Sequence, residues 1–131
     1  MRGLGERGFT MLEVLITVTI LGIIASFAVP RFANATSLAN TAKVQSDLAA
    51  LDAAITMYEI EKGKPPEEIK DLSAYVMDLD KLKPPKGTCH LRNGETVVVD
   101  DTSYSIQPTG TSPNTQTRAM CAEHTAGDFG K

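Results

Sequence analysis

Residues 7–13 have the sequence RGFTMLE, and at this point a short charged leader gives way to a long apolar run. Residues 14–29 contain no charged side chain, and the wider segment 9–29 contains only one, Glu13. A helix needs about 20 apolar residues to cross a lipid bilayer. The stretch therefore predicts a membrane-spanning helix that carries a single carboxylate near its start.

That carboxylate requires an explanation, because an acid inside a membrane costs about 2.5–3.5 kcal/mol or more and usually has a partner. Residues 9–29 contain no Lys or Arg, so the helix has no cation of its own to offer Glu13. One explanation is an amino terminus supplied by a second copy of the chain, which requires cleavage of the leader just before Phe9. The other is that the Glu13 side chain extends to the membrane surface, which lies close to this end of the helix.

Residues 8–16, GFTMLEVLI, resemble the prepilin signature of type IV pilins and type II secretion pseudopilins. In that family a prepilin peptidase cleaves after the Gly and methylates the new N-terminal Phe, and the Glu four residues later serves assembly. The resemblance implies cleavage between Gly8 and Phe9, N-methylation of Phe9, and pairing of Glu13 with the Phe9 ammonium of another subunit. In a low-dielectric medium such a pair is strongly preferred over two unpaired charges.

The same resemblance, which covers residues 6–32, implies a fold and a set of partners. It implies an α+β, pilin-like fold in which a long N-terminal helix, half membrane-spanning and half amphipathic, packs on a small three-stranded antiparallel sheet. Gly22 and Pro30 correspond to the family's helix-breaking residues and are expected to give the helix flexibility. The implied partners are the prepilin peptidase, other pilin subunits in a homo-oligomeric filament, the inner membrane and the assembly machinery.

The length of 131 residues allows one small domain in addition to the membrane helix. We expect a leader at residues 1–8, a transmembrane and assembly helix at 9–32, and a small periplasmic or extracellular domain at 33–131. Before assembly the chain would cross the inner membrane once, and afterwards it would lie in a pilus or pseudopilus outside the cytoplasm.

Charge and motifs argue against other classes of function. The net charge is −3, and removal of residues 1–8 would change it to −4, so direct binding of nucleic acid is not expected. The sequence shows no nucleophile and base at a recognisable spacing and no phosphate-binding loop. We therefore expect a protein that is not an enzyme and needs no cofactor.

An ordinary secretory signal is the alternative to the prepilin leader. The segment Ala33-Asn34-Ala35 has the A-x-A pattern of a signal-peptidase site, and cleavage after Ala35 would release a small disulfide-bonded binding domain. Two features oppose it: Glu13 interrupts the start of the apolar region, and that region exceeds the ~7–15 residues typical of such signals.

Beyond the apolar run the helix is predicted to continue to about residue 62. Residues 36–62 lack Gly and Pro, and apolar side chains recur at intervals of three and four residues, at Val44, Leu48, Leu51, Ile55 and Tyr58. This spacing is typical of one face of an amphipathic helix, which we expect to pack on the protein's own domain. The sequence GKPP at residues 63–66 ends the helix.

A short helical connection is expected at residues 67–79, followed by strands. Segments 88–92 and 95–99 flank Asn93-Gly94, a strong signal for a two-residue hairpin turn. Residues 102–107 alternate as a third strand, which together with the hairpin predicts a three-stranded antiparallel meander. From Pro108 onward the abundance of Thr, Pro, Gly, Ser and Asn predicts irregular structure.

The two cysteines, Cys89 and Cys121, are expected to form a disulfide, because small domains in oxidising compartments commonly contain one. The loop it closes corresponds to a stabilisation of ~3–4 kcal/mol in the chain-entropy model. A zinc site that also uses His90 and His124 is the rival interpretation. Adjacent strand residues point to opposite faces, so Cys89 and His90 are poorly placed to share one ion.

Acidic side chains in the predicted turns could in principle gather around calcium, as in some pseudopilins. They are Asp78, Asp80, Glu95, Asp100 and Asp101. Their spacing fits no calcium-loop motif, so we expect solvated turns and no metal.

Overall fold

The structure is a computed structural model that describes residues 8–111 and 113–130. It divides into two compact units, Met1–Ala35 and Thr36–Lys131, and each is considered by itself below. The predicted leader residues 1–7 lie outside the described residues. The first element, α1, is an α-helix at Met11–Lys62 that contributes residues to both units.

Within the first unit, α1 is a regular helix whose apolar side chains face outward. It continues without interruption past Gly22 and Pro30. Its large apolar side chains are exposed, among them Leu12, Leu15, Ile20, Ile24 and Phe27. The apolar part of α1 is long and hydrophobic enough to cross a membrane, and none of it is buried within the structure. This is the composition of a helix that is surrounded by lipid or by other subunits.

In the second unit, α1 supplies one side of the hydrophobic core. Val44, Leu48, Leu51 and Ile55 are almost completely buried, and Tyr58 packs against them partly exposed. The amphipathic stripe predicted from the sequence is therefore confirmed. The helix ends as expected, because Gly63 adopts a φ of 71° and its N–H donates to the carbonyl of Glu59 at 2.8 Å. That left-handed conformation favours glycine.

Five short strands follow two turns of 3-10 helix at Ile69–Ala74 and Leu79–Lys81. The strands are β1 (Gly87–His90), β2 (Thr96–Val99), β3 (Ser105–Thr109), β4 (Gln116–Cys121) and β5 (His124–Thr125). They form two antiparallel sheets, one of β1 and β2 and one in the order β3-β4-β5. An isolated antiparallel bridge joins Leu91, just after β1, to Phe129.

The core of the second unit lies between α1 and these strands. Its remaining buried members are Leu72, Cys89, Leu91, Val99, Tyr104, Ala119, Cys121 and Phe129. Phe129 is the largest of the completely buried side chains. Each sheet contributes to this core, since Cys89 and Val99 come from the first and Ala119 and Cys121 from the second.

The structure confirms the α+β, pilin-like fold class, with a long N-terminal helix and small antiparallel sheets. It also confirms the hairpin, because β1 and β2 pair on either side of Asn93-Gly94. The predicted meander is wrong, since β3 pairs with β4 and not with β2. The region after Pro108 is likewise not irregular throughout, because it contains β4 and β5.

The sequences of β3 and β4 explain why these two predictions were wrong. Pro108 is accommodated within β3 because that strand lies at an edge of its sheet, where a missing N–H costs no ladder hydrogen bond. In β4 only Ala119 and Cys121 are buried, so the hydrophobic alternation is too short to stand out among Thr, Gly and Ser neighbours.

Candidate functional site

The start of α1 is built by a reciprocal pair of hydrogen bonds between Thr10 and Glu13. The backbone N–H of Thr10 donates to Oε2 of Glu13 at 2.9 Å, and the backbone N–H of Glu13 donates to Oγ1 of Thr10 at 3.2 Å. This arrangement is a capping box, in which two of the unsatisfied N–H groups at a helix start find acceptors. Glu13 therefore has a structural role within its own chain.

The capping box changes the electrostatics of the carboxylate. Glu13 lies in the first turn of α1, where the helix dipole favours a negative charge. One carboxylate oxygen is occupied by the Thr10 amide, and within the described residues no group of the same chain donates to the other, Oε1. Among residues 8–111 and 113–130, the cap therefore engages one oxygen of this carboxylate and leaves the other without a donor.

Sequence analysis singled out Glu13 but missed Thr10. The signal was present, because a Thr followed three residues later by a Glu at the start of an apolar run is the sequence pattern of a capping box. The pattern does not stand out because Thr10 lies between Phe9 and Met11, within the apolar segment.

The predicted cleavage residues lie immediately before the cap. Gly8 and Phe9 precede the helix, the Phe9 side chain is 85 % exposed, and no heavy atom lies within 4 Å of the position a Cβ on Gly8 would occupy. Both residues are therefore exposed and lie outside the helix. Cleavage between Gly8 and Phe9 and methylation of Phe9 stay predictions.

The few polar side chains of the apolar segment are satisfied by the helix itself. The hydroxyls of Thr17, Thr19 and Ser26 donate to backbone carbonyls three or four residues earlier, at 2.6–2.7 Å. A membrane would otherwise exact a large cost for such groups. Glu13 is thus the one charged side chain of the described apolar segment.

Gly22 and Pro30, the predicted positions of helix flexibility, are both helical here. The site of a Cβ on Gly22 is open, with no heavy atom within 4 Å. Pro30 has no N–H to donate to the carbonyl of Ser26, so the hydrogen-bond ladder of the helix has a gap at this residue. The gap supports the interpretation of Pro30 as a weak point, and flexibility at the two residues stays a prediction.

The two cysteines are buried in the second unit as free thiols. Burial, together with nearby Asp101 and Cys89, raises the pKa of Cys121 to about 12, and burial also raises the pKa of Cys89. The thiols are thus close enough to influence each other, and the predicted disulfide stays a prediction. Across residues 8–111 and 113–130, no group of three or more His, Cys, Asp and Glu side chains is arranged to hold a metal ion.

Comparison with known families bears directly on the helix start. Residues 4–29 match the family model of the prokaryotic N-terminal methylation motif. The chain carries this motif. The matched residues include Gly8, Phe9 and Glu13, so the resemblance to prepilins inferred from residues 8–16 is confirmed.

Individual relatives extend the similarity into the second unit. The chain is 36 % identical over 88 residues to type II secretion system core protein G of Klebsiella pneumoniae, an alignment that covers 67 % of this chain and 59 % of that protein. It is 39 % identical over 71 residues to the protein of the same name from Vibrio cholerae, covering 54 % and 49 %. For the Escherichia coli (strain K12) protein of that name the identity is 34 % over 71 residues, covering 54 % and 49 %.

The chain therefore spans between about half and three fifths of the length of these relatives. No solved structure matches the fold significantly. The chain therefore resembles the pseudopilins of type II secretion systems.

Proposed function

We propose that the chain is a structural subunit of a type II secretion pseudopilus. In this proposal it is a prepilin that is cleaved between Gly8 and Phe9 and methylated at Phe9. It assembles through the part of α1 that lies in the first unit. The observation that carries the proposal is the capped Glu13 carboxylate at the start of an exposed apolar helix, inside a methylation motif. The core protein G relatives favour secretion over a pilus or a DNA-uptake filament.

Assembly would complete the hydrogen bonding of Glu13. Cleavage would release the Phe9 nitrogen as a primary ammonium, and methylation would convert it into a secondary ammonium. Oε1 of Glu13 in a neighbouring subunit is an acceptor to which no described group of its own chain donates. Pairing the two charges in lipid offsets the desolvation penalty that each would have alone, and it works only when neighbouring helices are staggered in one register. The Thr10 cap would fix the direction in which the carboxylate points while this pair forms.

The exposed apolar side chains of the first unit would supply the remaining contact area. Before assembly they would face the lipid of the inner membrane, which the chain crosses once, with its second unit outside the cytoplasm. In the filament the same side chains would pack against copies of α1 in other subunits. The partners in this proposal are the prepilin peptidase, other subunits, and the machinery that extracts them from the membrane.

The capping box provides a matched pair of variants that separates charge from cap. Glu13→Gln keeps an acceptor for the Thr10 N–H, since Gln also forms capping boxes, but it removes the charge. Glu13→Ala removes both. We expect both variants to be cleaved and methylated, to accumulate in the membrane, and to yield at least about tenfold less filament in sedimentation and cross-linking assays, consistent with loss of a buried charge pair.

Thr10→Val is the control, because it weakens the cap and keeps the charge. We expect it to assemble at close to the normal level. If Glu13→Gln assembled normally while Glu13→Ala did not, the carboxylate would act through the cap and the charge-pairing mechanism would be wrong. The intact mass of the membrane-derived protein tests processing: a chain that starts at N-methylated Phe9 is expected, and a chain that starts at Thr36 would refute the proposed function.

A further inference from the structure

The outer edge of β2 is an unpaired strand edge. The N–H of Leu91 donates to the carbonyl of Glu95 at 2.8 Å, so at this position the two chain segments of the hairpin direct backbone groups towards each other. Because antiparallel pairs alternate, Cys89–Val97 is bonded in the same way, and Thr96 and Val98 direct their N–H and C=O groups away from β1. In the described part of the chain these outward groups have no hydrogen-bond partner.

The corresponding outward edge of β1 is occupied. The Thr88 carbonyl accepts from Asn40 Nδ2 at 3.5 Å, and the His90 N–H donates to Thr41 Oγ1 at 2.8 Å. The His90 carbonyl accepts from the N–H of Gly130 at 3.1 Å. The hairpin therefore has one edge sealed by α1 and the Gly130 segment and one edge left open.

The outer edge of β3, in the β3-β4-β5 sheet, is protected from strand pairing by a proline. The N–H of Ala119 donates to Asp52 Oδ1 and not to Ile106 opposite it, so Ile106 directs its groups outward, and by alternation Pro108 does the same. Pro108 has no N–H to offer there. Proline at a sheet edge is a common protection against unwanted strand pairing.

The outer edge of β2 has no proline that would protect it from strand pairing. Its sequence is Thr-Val-Val-Val, without Pro or Lys, and the Val98 side chain on its solvent face is 70 % exposed. Residues of this kind have high strand propensity and pack well against a neighbouring strand. We propose that β2 is a docking edge on which an extended segment of a partner protein adds as a further antiparallel or parallel strand.

The acidic residues that flank β2 indicate what kind of segment could bind at its outer edge. Glu95 precedes β2, and Asp100 and Asp101 follow it. All three are exposed, and Nζ of Lys86 lies 3.9 Å from Oδ1 of Asp100. Antiparallel self-pairing of two β2 edges with Val98 opposite Val98 would place Glu95 of one copy opposite Asp101 of the other, and parallel self-pairing would align identical acids. Like charges opposite each other destabilise a strand pair.

The occupant that fits is therefore a segment of a different protein with alternating β-branched residues and a Lys or Arg at each end. The apolar side chains would lie beside Val98, and the basic ends would lie against Glu95 and Asp100. This proposal concerns the unit Thr36–Lys131 and stands apart from filament assembly through the first unit.

The test uses the full chain in a mild non-ionic detergent and a synthetic peptide of alternating Val and Thr with Lys at both ends. We expect saturable binding, observed by fluorescence anisotropy of the labelled peptide. Amide exchange measured by NMR should slow at Thr96 and Val98 and stay unchanged at Val97 and Val99, whose amides already face β1. A peptide with Glu in place of each Lys should bind about two- to fivefold more weakly per exposed charge pair.

Val98→Pro removes only an outward N–H, because the Thr88–Val98 pair exchanges no hydrogen bond. We expect it to weaken peptide binding by at least about tenfold, whereas Val98→Thr, which keeps the N–H and the branched side chain, should bind nearly as the native chain does. Retained protection at Val97 and Val99 would verify that the hairpin of the Pro variant is intact.

Asp100→Lys provides a second test that leaves the backbone unchanged, and it should reverse the preference between the Lys and Glu peptides at that end. Equal binding by Val98→Pro and the native chain, or no change in exchange at Thr96 and Val98, would overturn the proposal. Concentration-dependent protection of these two amides without peptide would also overturn it, because the occupant would then be a second copy of this chain.

Discussion

Asp52 offers the sharpest test of how the second unit is held together. Its Oδ2 accepts hydrogen bonds from Nε and Nη2 of Arg118 at 3.0 and 2.8 Å, and its Oδ1 accepts from the N–H of Ala119 at 2.9 Å. One carboxylate on α1 therefore binds both a side chain and the backbone of β4. We predict that Asp52→Ala destabilises this unit strongly and that Asp52→Asn does so mildly.

The magnitude follows from what each variant leaves behind. Ala119 is completely buried, so loss of its acceptor in Asp52→Ala leaves an unsatisfied N–H that costs about 1–3 kcal/mol. The ion pair adds at most about 1 kcal/mol, since the Arg118 side chain is 37 % exposed and solvent screens it. We expect a loss of about 3 kcal/mol for Asp52→Ala and about 1 kcal/mol for Asp52→Asn, which keeps the acceptor.

Urea unfolding of the full chain in non-ionic detergent measures both values. All three tyrosines lie in the second unit, at Tyr58, Tyr75 and Tyr104, so their fluorescence reports on that unit alone. With a denaturant slope of about 1.5 kcal/mol/M, the midpoint should fall by about 2 M for Asp52→Ala and by less than about 0.7 M for Asp52→Asn. Equal shifts for the two variants would refute the argument, because the buried amide would then contribute nothing.

Other parts of the same unit allow further tests by the same assay. Thr41→Val should cost about 1–3 kcal/mol by leaving the His90 N–H without an acceptor, whereas Thr41→Ser should cost much less; similar values would exclude this hydrogen bond as the cause. Phe129→Ala should cost about 3–5 kcal/mol through the cavity it creates, and a loss below about 1 kcal/mol would contradict its place in the core. In the dithiol protein the pKa of Cys121 rises in the folded state from 9.0 to about 12, so the folded state binds more protons in that range and stability should fall as pH rises from about 9 towards 12. Oxidation of Cys89 and Cys121 to a disulfide should remove this part of the pH dependence, and identical alkaline profiles for the two forms would show that the thiol does not contribute.

The parts of the fold that could be predicted from sequence are those with a strong local signal. The apolar run, the stripe from Val44 to Tyr58, the glycine at position 63 and the Asn93-Gly94 turn each depend on residues close together in the chain, and each was predicted correctly. The capping box also has a local signal, but Thr10 is flanked by Phe9 and Met11 and its pattern merges with that of the apolar run.

The pairing of β3 could not be predicted in the same way. Which strand lies beside which depends on contacts between distant residues, such as the Asp52 carboxylate that fixes Ala119 of β4 against α1 from 67 positions away. Burial in β4 is too sparse to mark it as a strand, and a carboxylate on a helix gives no indication in sequence that it will accept a hydrogen bond from a strand backbone. The site residues Gly8, Phe9 and Glu13, by contrast, belong to one short motif, and this is why sequence alone identified them.

The contact between Gln45 and Phe129 has a consequence for when the second unit can fold. Nε2 of Gln45 donates to the Phe129 carbonyl at 3.0 Å, a hydrogen bond that joins residues 84 positions apart, and the Phe129 side chain fills the centre of the core. Contacts over such distances make folding slow, on the order of milliseconds to seconds for domains of this size. The core of the second unit is therefore incomplete until residue 129 is available, and this part of the chain stays unfolded until then.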